Sequence, residues 1–244
     1  MKKYQIFAGI GIVLLIATYF APVWWVTLKS IQYPESMYPK GIRIEFKYDG
    51  VYNGCAGVSE RSELAADQAG ADCLFEMNKI NHFIGMYPIV QGANDINEDG
   101  DHVPYPVYAA ETLSQDEIPG YLKFLNNILK NSKYFFLLFV ILGILFIFRT
   151  KKLCGAFAII AGSIPVYFLG LYIYSLYWYG HHMGLHGGGA FAGIKPFMPT
   201  VFGEGKVAQF ITMSYPNYGF LLAVGTFVFF VLAILMKRKE ISNK

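Results

Sequence analysis

Four long stretches without a single charged residue dominate this sequence. They are Tyr4–Val23, Tyr134–Phe148, Leu153 to about Tyr177, and Tyr218–Met236. A bilayer core about 30 Å thick needs roughly 20 apolar residues of helix to cross it. A soluble chain of 244 residues has no interior large enough to hide four all-apolar helices. Composition agrees: 15% of residues are charged and 55% hydrophobic, against roughly 25% charged in soluble domains. The 17% aromatic content suits lipid-facing surface and membrane–water interfaces. These figures exclude a disordered chain, a nucleic-acid-binding arm and an ordinary cytosolic enzyme. The expected fold is a mainly α membrane protein. It has four transmembrane helices and a small extracytoplasmic α+β domain between helices 1 and 2.

Orientation follows from Lys and Arg near the span ends. Lys2, Lys3, Arg149, Lys151, Lys152, Lys237, Arg238, Lys239 and Lys244 all fall on one side of a four-span chain. Those nine against one acid, Glu240, make that side +8; the remaining eleven basic and sixteen acidic residues make the other −5. The predicted layout is N-in, with helix 1 over 1–23, an extracytoplasmic domain over 24–133 and helix 2 over 134–149. A cytoplasmic turn (150–152), helix 3 (153–177), an outer loop (178–217), helix 4 (218–236) and a cytoplasmic tail (237–244) complete it. Span one resembles a signal peptide in its basic start. Thr18-Tyr19-Phe20-Ala21 followed by Pro22 is a poor small-residue cleavage site, however, so the span reads as an uncleaved anchor. The spans hold no Asp, Glu, Lys, Arg or His, which argues against a pump, channel or proton-coupled transporter.

In the outer domain, Trp24, Trp25 and Tyr33 read as interfacial rings beyond span one. Residues 41–48 alternate, with Ile42, Ile44, Phe46 and Tyr48 on one face of a strand. Asp49-Gly50 then turns the chain into a short return strand at Val51-Tyr52. Cys55 and Cys73 are spaced for a structural disulfide on an oxidising face, closing a loop of about 18 residues. A thiolate metal site is the alternative, without C-x-x-C spacing to support it. Asp95, Asn97 and Asp99, followed by Gly100, match the first half of a calcium loop. Pro106 occupies the place of its bidentate Glu, so weak calcium binding stands beside an ordinary acidic turn.

His82 and Met86 are four apart, on one face if helical. His181, His182, Met183 and His186 cluster where span three emerges. Imidazole with soft thioether sulfur is a ligand set that selects copper over zinc, calcium or magnesium. The competing reading makes these histidines interfacial hydrogen-bonding residues. The sequence shows no nucleophile–base pair, no phosphate-binding glycine loop and no C-x-x-C-H haem site, so neither haem, nucleotide nor catalysis is expected.

Four motifs occur in order along the chain: Ala21-Pro22-Val23-Trp24 with Leu28 and Gln32-Tyr33-Pro34; Ile80 through Asn81, His82, Gly85 and Met86; Tyr177 to His181; and Lys195-Pro196 with Ser214-Tyr215-Pro216. Together they resemble a small bacterial family of multi-span accessory proteins. Its members are encoded in nitrous-oxide-reductase maturation clusters, beside copper-chaperone and ABC-transporter components. The resemblance implies a multi-pass protein of the cytoplasmic (inner) membrane, with its main soluble domain in the periplasm. It implies biogenesis of, or copper or electron supply to, an extracytoplasmic copper enzyme. The partners are membrane lipid and a protein on that side, either the copper enzyme or its maturation factors, and no nucleic acid. Gln32, Tyr33, Pro34, Asn81, Gly85, Lys195, Tyr215 and Pro216 match as structural or partner positions, and His82, Met86 and His181, the candidate copper ligands, match as well. The Cys55–Cys73 stretch, the acidic turn and the His- and Gly-rich loop after His181 depart from the family pattern. A non-catalytic structural subunit of a larger membrane complex is the alternative reading.

Overall fold

The computed structural model describes residues 2–31, 35, 38, 40–53, 94–96, 102–104, 119–148, 154–182, 195–207 and 210–242. The described chain is mainly helical. In order it forms α1 (Lys3–Phe20), β1 (Trp24–Lys29), β2 (Ile42–Phe46), β3 (Val51–Asn53), β4 (Asn94–Ile96), β5 (His102–Pro104), α2 (Gly120–Lys130), α3 (Ser132–Phe148), α4 (Cys154–Gly162), α5 (Ile164–His181), β6 (Gly203–Val207), β7 (Phe210–Pro216) and α6 (Tyr218–Ser242).

Two helices, α1 and α6, are each long and apolar enough to cross a membrane. The pairs α2–α3 and α4–α5 also qualify if each is one bent span, with bends of 54° and 45°. The number of candidate spans is therefore two to four. The second bend falls at Ser163, where Pro165 opens α5 in a helix's first turn, the position at which its missing N–H costs nothing. The first falls at Asn131, whose backbone N–H and side-chain Nδ2 both donate to the Asn127 carbonyl and so end α2. Helix α2 is amphipathic, burying Leu122, Leu125 and Leu129 while Lys123 and Lys130 face outward. By contrast α1, α3 and α6 have no polar stripe, and large apolar side chains cover their outer faces, among them Val13, Leu137 and Leu221.

The helices close on Phe230 of α6, which is almost fully buried with Phe146, Ala8, Ala158, Ala161 and Ala233. Glycines make room for its ring. A Cβ on Gly143 would come within 3.0 Å of it, and one on Gly11 within 3.3 Å.

Five strands form one antiparallel sheet in the order β3-β2-β1-β7-β6. Strand β1 follows α1 after three residues, and β7 enters α6 after one. These two strands are central neighbours, pairing Trp24 with Pro216 and Trp25 with Tyr215. The helix pair α1–α6 thus runs on into a strand pair. The joint is sealed by Asn217 N–H to the Val23 carbonyl (2.9 Å) and Gly219 N–H to the Pro22 carbonyl (3.0 Å). The segments after α1 and before α6 therefore leave the bundle at the same end.

Several boundaries differ from the sequence reading. The β2–β3 hairpin forms as expected, with Ile42, Ile44 and Tyr48 buried. Trp24 and Trp25, however, lie in a strand, and Trp24 is buried rather than interfacial. Residues 178–217 are not a plain loop: Trp178–His181 extend α5, and β6 and β7 complete the sheet. The β structure is consequently not confined between the first and second spans. Strand β7 has no clear sequence pattern because its buried face carries Thr212 and Ser214 beside Phe210, while Ile211 is half exposed. The ordinary apolar-in alternation is inverted there, and polar side chains are tolerated inside because each has a partner.

Candidate functional site

The sheet end of the molecule is organised around one serine. Ser214 Oγ accepts from Trp24 Nε1–H (2.8 Å) and donates to the Val201 carbonyl (2.7 Å). With its one proton so used, it accepts from the Tyr172 hydroxyl as well (2.9 Å). A hydroxyl has one donor and two acceptor positions, and Ser214 fills all three. The network joins β1, β7, α5 and the chain before β6 in a site with no access to water. Phe168 stacks on Tyr172, and Trp24 lies against both rings, with centroids 6.2 and 5.3 Å away. Beside it Tyr215 packs on Trp25 (5.3 Å), and the Arg43 guanidinium lies over the Trp25 ring at 4.3 Å while pairing with Glu45. Tyr215 and Pro216, singled out in the sequence, are thus sheet residues whose neighbours are tryptophans of β1.

The exposed end of α5 carries the second feature. His181 Nδ1 lies 2.8 Å from the Tyr177 carbonyl, and His182 Nδ1 lies 2.7 Å from the Trp178 carbonyl. A carbonyl oxygen only accepts, so in each neutral ring Nδ1 carries the proton and Nε2 keeps its lone pair. Each imidazole also lies against the aromatic ring one turn earlier, His181 on Tyr177 at 4.1 Å and His182 on Trp178 at 4.3 Å. These contacts cap the last turn of α5. They also hold both rings in the arrangement a metal-binding histidine adopts, with the second nitrogen fixed by a carbonyl. Gly180, just before them, lets residues 195–200 cross closely: Phe197 N–H donates to its carbonyl at 3.2 Å, and any Cβ there would collide with the Phe197 carbonyl oxygen. Lys195 and Met198 are exposed on this crossing segment.

The remaining sequence candidates divide simply. Asp95 lies in β4, its backbone paired with Val103 of β5. Gln32, Tyr33, Pro34, Cys55, Cys73, Asn81, His82, Gly85, Met86, Asn97, Asp99, Met183 and His186 lie outside the described residues. Among the described residues no three His, Cys, Asp or Glu side chains converge as a metal-binding group. The Trp24–Ser214–Tyr172 network had no signal in the sequence, since its members are up to 190 positions apart. No protein-family model, no curated protein and no solved structure matches this chain.

Proposed function

We propose that this chain is a four-span protein of the bacterial inner membrane, with both ends in the cytoplasm and the sheet on the periplasmic surface. In this reading it serves biogenesis of, or copper supply to, a periplasmic copper enzyme of the nitrous-oxide-reductase type. The observation that carries the reading is the adjacent pair of histidines at the end of α5, each with Nδ1 tied to a carbonyl and Nε2 available. Met183 and His186 follow directly in the sequence, and His82 and Met86 complete a soft N/S ligand set. Few ligands on an exposed end suit transient Cu(I) exchange rather than permanent storage. The sequence resemblance points to the same role, and the bias of Lys and Arg toward the α1 N-terminus and α6 C-terminus supports the orientation.

Anaerobic Cu(I) titration of the purified protein against a competing chelator tests this. The wild type is expected to take up the metal, and His181→Ala with His182→Ala to weaken it by about 10–100-fold, the usual range for disturbing a ligand shell. Uptake that is absent, or untouched by the double substitution, overturns the copper role.

A further inference from the structure

A cleft opens beneath the β2–β3 hairpin, between the two bent helix pairs. The space it encloses is about 100 Å³. Phe46 and Val51 roof it; Leu125 and Phe136 line one side, Leu171 and Leu176 the other. It exists because α3 packs against α1 and α4 while α5 packs against α6, so α3 and α5 face each other across a gap.

The wall is almost entirely carbon. Two of its tyrosines direct their hydroxyls to partners: Tyr48 donates to the Ile164 carbonyl (3.3 Å) and Tyr172 to Ser214. The Ser132 and Tyr179 hydroxyls, also in the lining, are buried without a partner of their own, yet little polar surface opens into the cleft, and an empty apolar void forfeits dispersion contacts along its lining. At the mouth stand Phe135 of α3 and Tyr167 of α5, 42% and 38% exposed. They continue the exposed apolar surface that includes Leu138 and Val166 on the same two helices. One charged residue, Lys47, contributes to the lining.

From this geometry we infer that the cleft holds a segment of one acyl chain of a bilayer phospholipid, entering sideways between Phe135 and Tyr167, with the Lys47 ammonium as its headgroup contact. The inference rests on the membrane-spanning reading of α2–α3 and α4–α5. Carbon walls select a hydrocarbon tail over any ligand that must hydrogen-bond, and a mouth continuous with the apolar outer faces gives a bilayer lipid direct entry.

The test uses the full chain in nanodiscs of phosphatidylglycerol bearing a photoactivatable diazirine near the end of one acyl chain, with cross-links mapped by mass spectrometry. Cross-links are expected to concentrate on cleft-lining positions of α2, α3 and α5. Leu171→Trp, which fills the space of about two methylenes, lowers them about ten-fold. Ile128→Phe fills the cleft from the opposite wall and is expected to act in the same direction, so the outcome does not hang on one variant folding. Lys47→Gln is expected to remove the preference for phosphatidylglycerol over phosphatidylcholine. Equal labelling of the cleft and of outer positions such as Leu138 and Val228, unaffected by either filling variant, overturns the lipid site and leaves the spans intact. Labelling of no helix overturns the spans and the lipid site together.

Discussion

Ser214 shows how much one small side chain can hold. Replacing it with alanine leaves the Trp24 indole N–H and the Tyr172 hydroxyl buried without an acceptor. Each orphaned donor costs about 1–3 kcal/mol, so Ser214→Ala is expected to lower stability by about 2–4 kcal/mol, read as a drop in melting temperature in detergent. An unchanged melting temperature would mean the network is not formed. Tyrosines near the β2–β3 turn make a pH prediction. Burial is the main reason that the Tyr48 and Tyr52 phenols ionise above the ordinary 10.0, and Asp49 adds to it at Tyr52. Above pH 10 the unfolded chain therefore releases protons that the folded one keeps, and stability falls as pH rises. Phenolate absorbance of the wild type minus that of Tyr52→Phe should show Tyr52 titrating later than a free tyrosine. At this scale the sequence was a poor guide. Trp24 looked interfacial because a tryptophan just past an apolar run usually is, and nothing nearby announces a serine 190 positions on as its partner.

Elements were legible to the degree that their patterns are local. The helices α1, α3 and α6 follow from unbroken apolar runs, and the β2–β3 hairpin from its period of two and its Asp49-Gly50 turn. Their ends were less so. Helix α5 runs on through Trp178–His181 because aromatic contacts with α2 support it: Tyr121 lies 5.1 Å from Trp178 and its hydroxyl donates to Ser175 (2.6 Å), whose own proton goes to the Leu171 carbonyl. Strands β6 and β7 are not legible locally, because Gly203 and Gly205 suggest a loop and β7 buries polar side chains. The close crossing at the end of α5 gives a prediction at this scale. In Gly180→Ala the new methyl displaces residues 195–200, with an expected cost of about 1–3 kcal/mol, the range for overpacking. Faster proteolysis within 195–200 should accompany it, and an unchanged digestion pattern would show that the segment does not rest on α5.

For the whole molecule, the agreement between sequence and structure is coarse but physical. A chain with this hydropathy forms helices whose outsides are apolar, with two to four able to cross a membrane. The two polar segments flanking the first and last of them meet in one sheet. Labelling tests the proposed orientation directly. A cysteine introduced at exposed Met198 is expected to react with a membrane-impermeant maleimide added outside spheroplasts. One at Ser242, the end of α6, should react only after lysis. The reverse pattern inverts the topology. The proposed copper ligands are legible only as clusters of residue types, because no local spacing encodes which distant parts of a chain meet.

The pairing of β1 with β7 also bears on how the protein is made. Residue 24 finds its central partner near residue 216, so during synthesis β1 keeps an uncovered strand edge until β7 has been made. Loss of β7 and α6 would strip β1 of one neighbour and expose a row of backbone groups to any other strand edge. Correct assembly of the sheet thus turns on whether two strands some 190 positions apart have met.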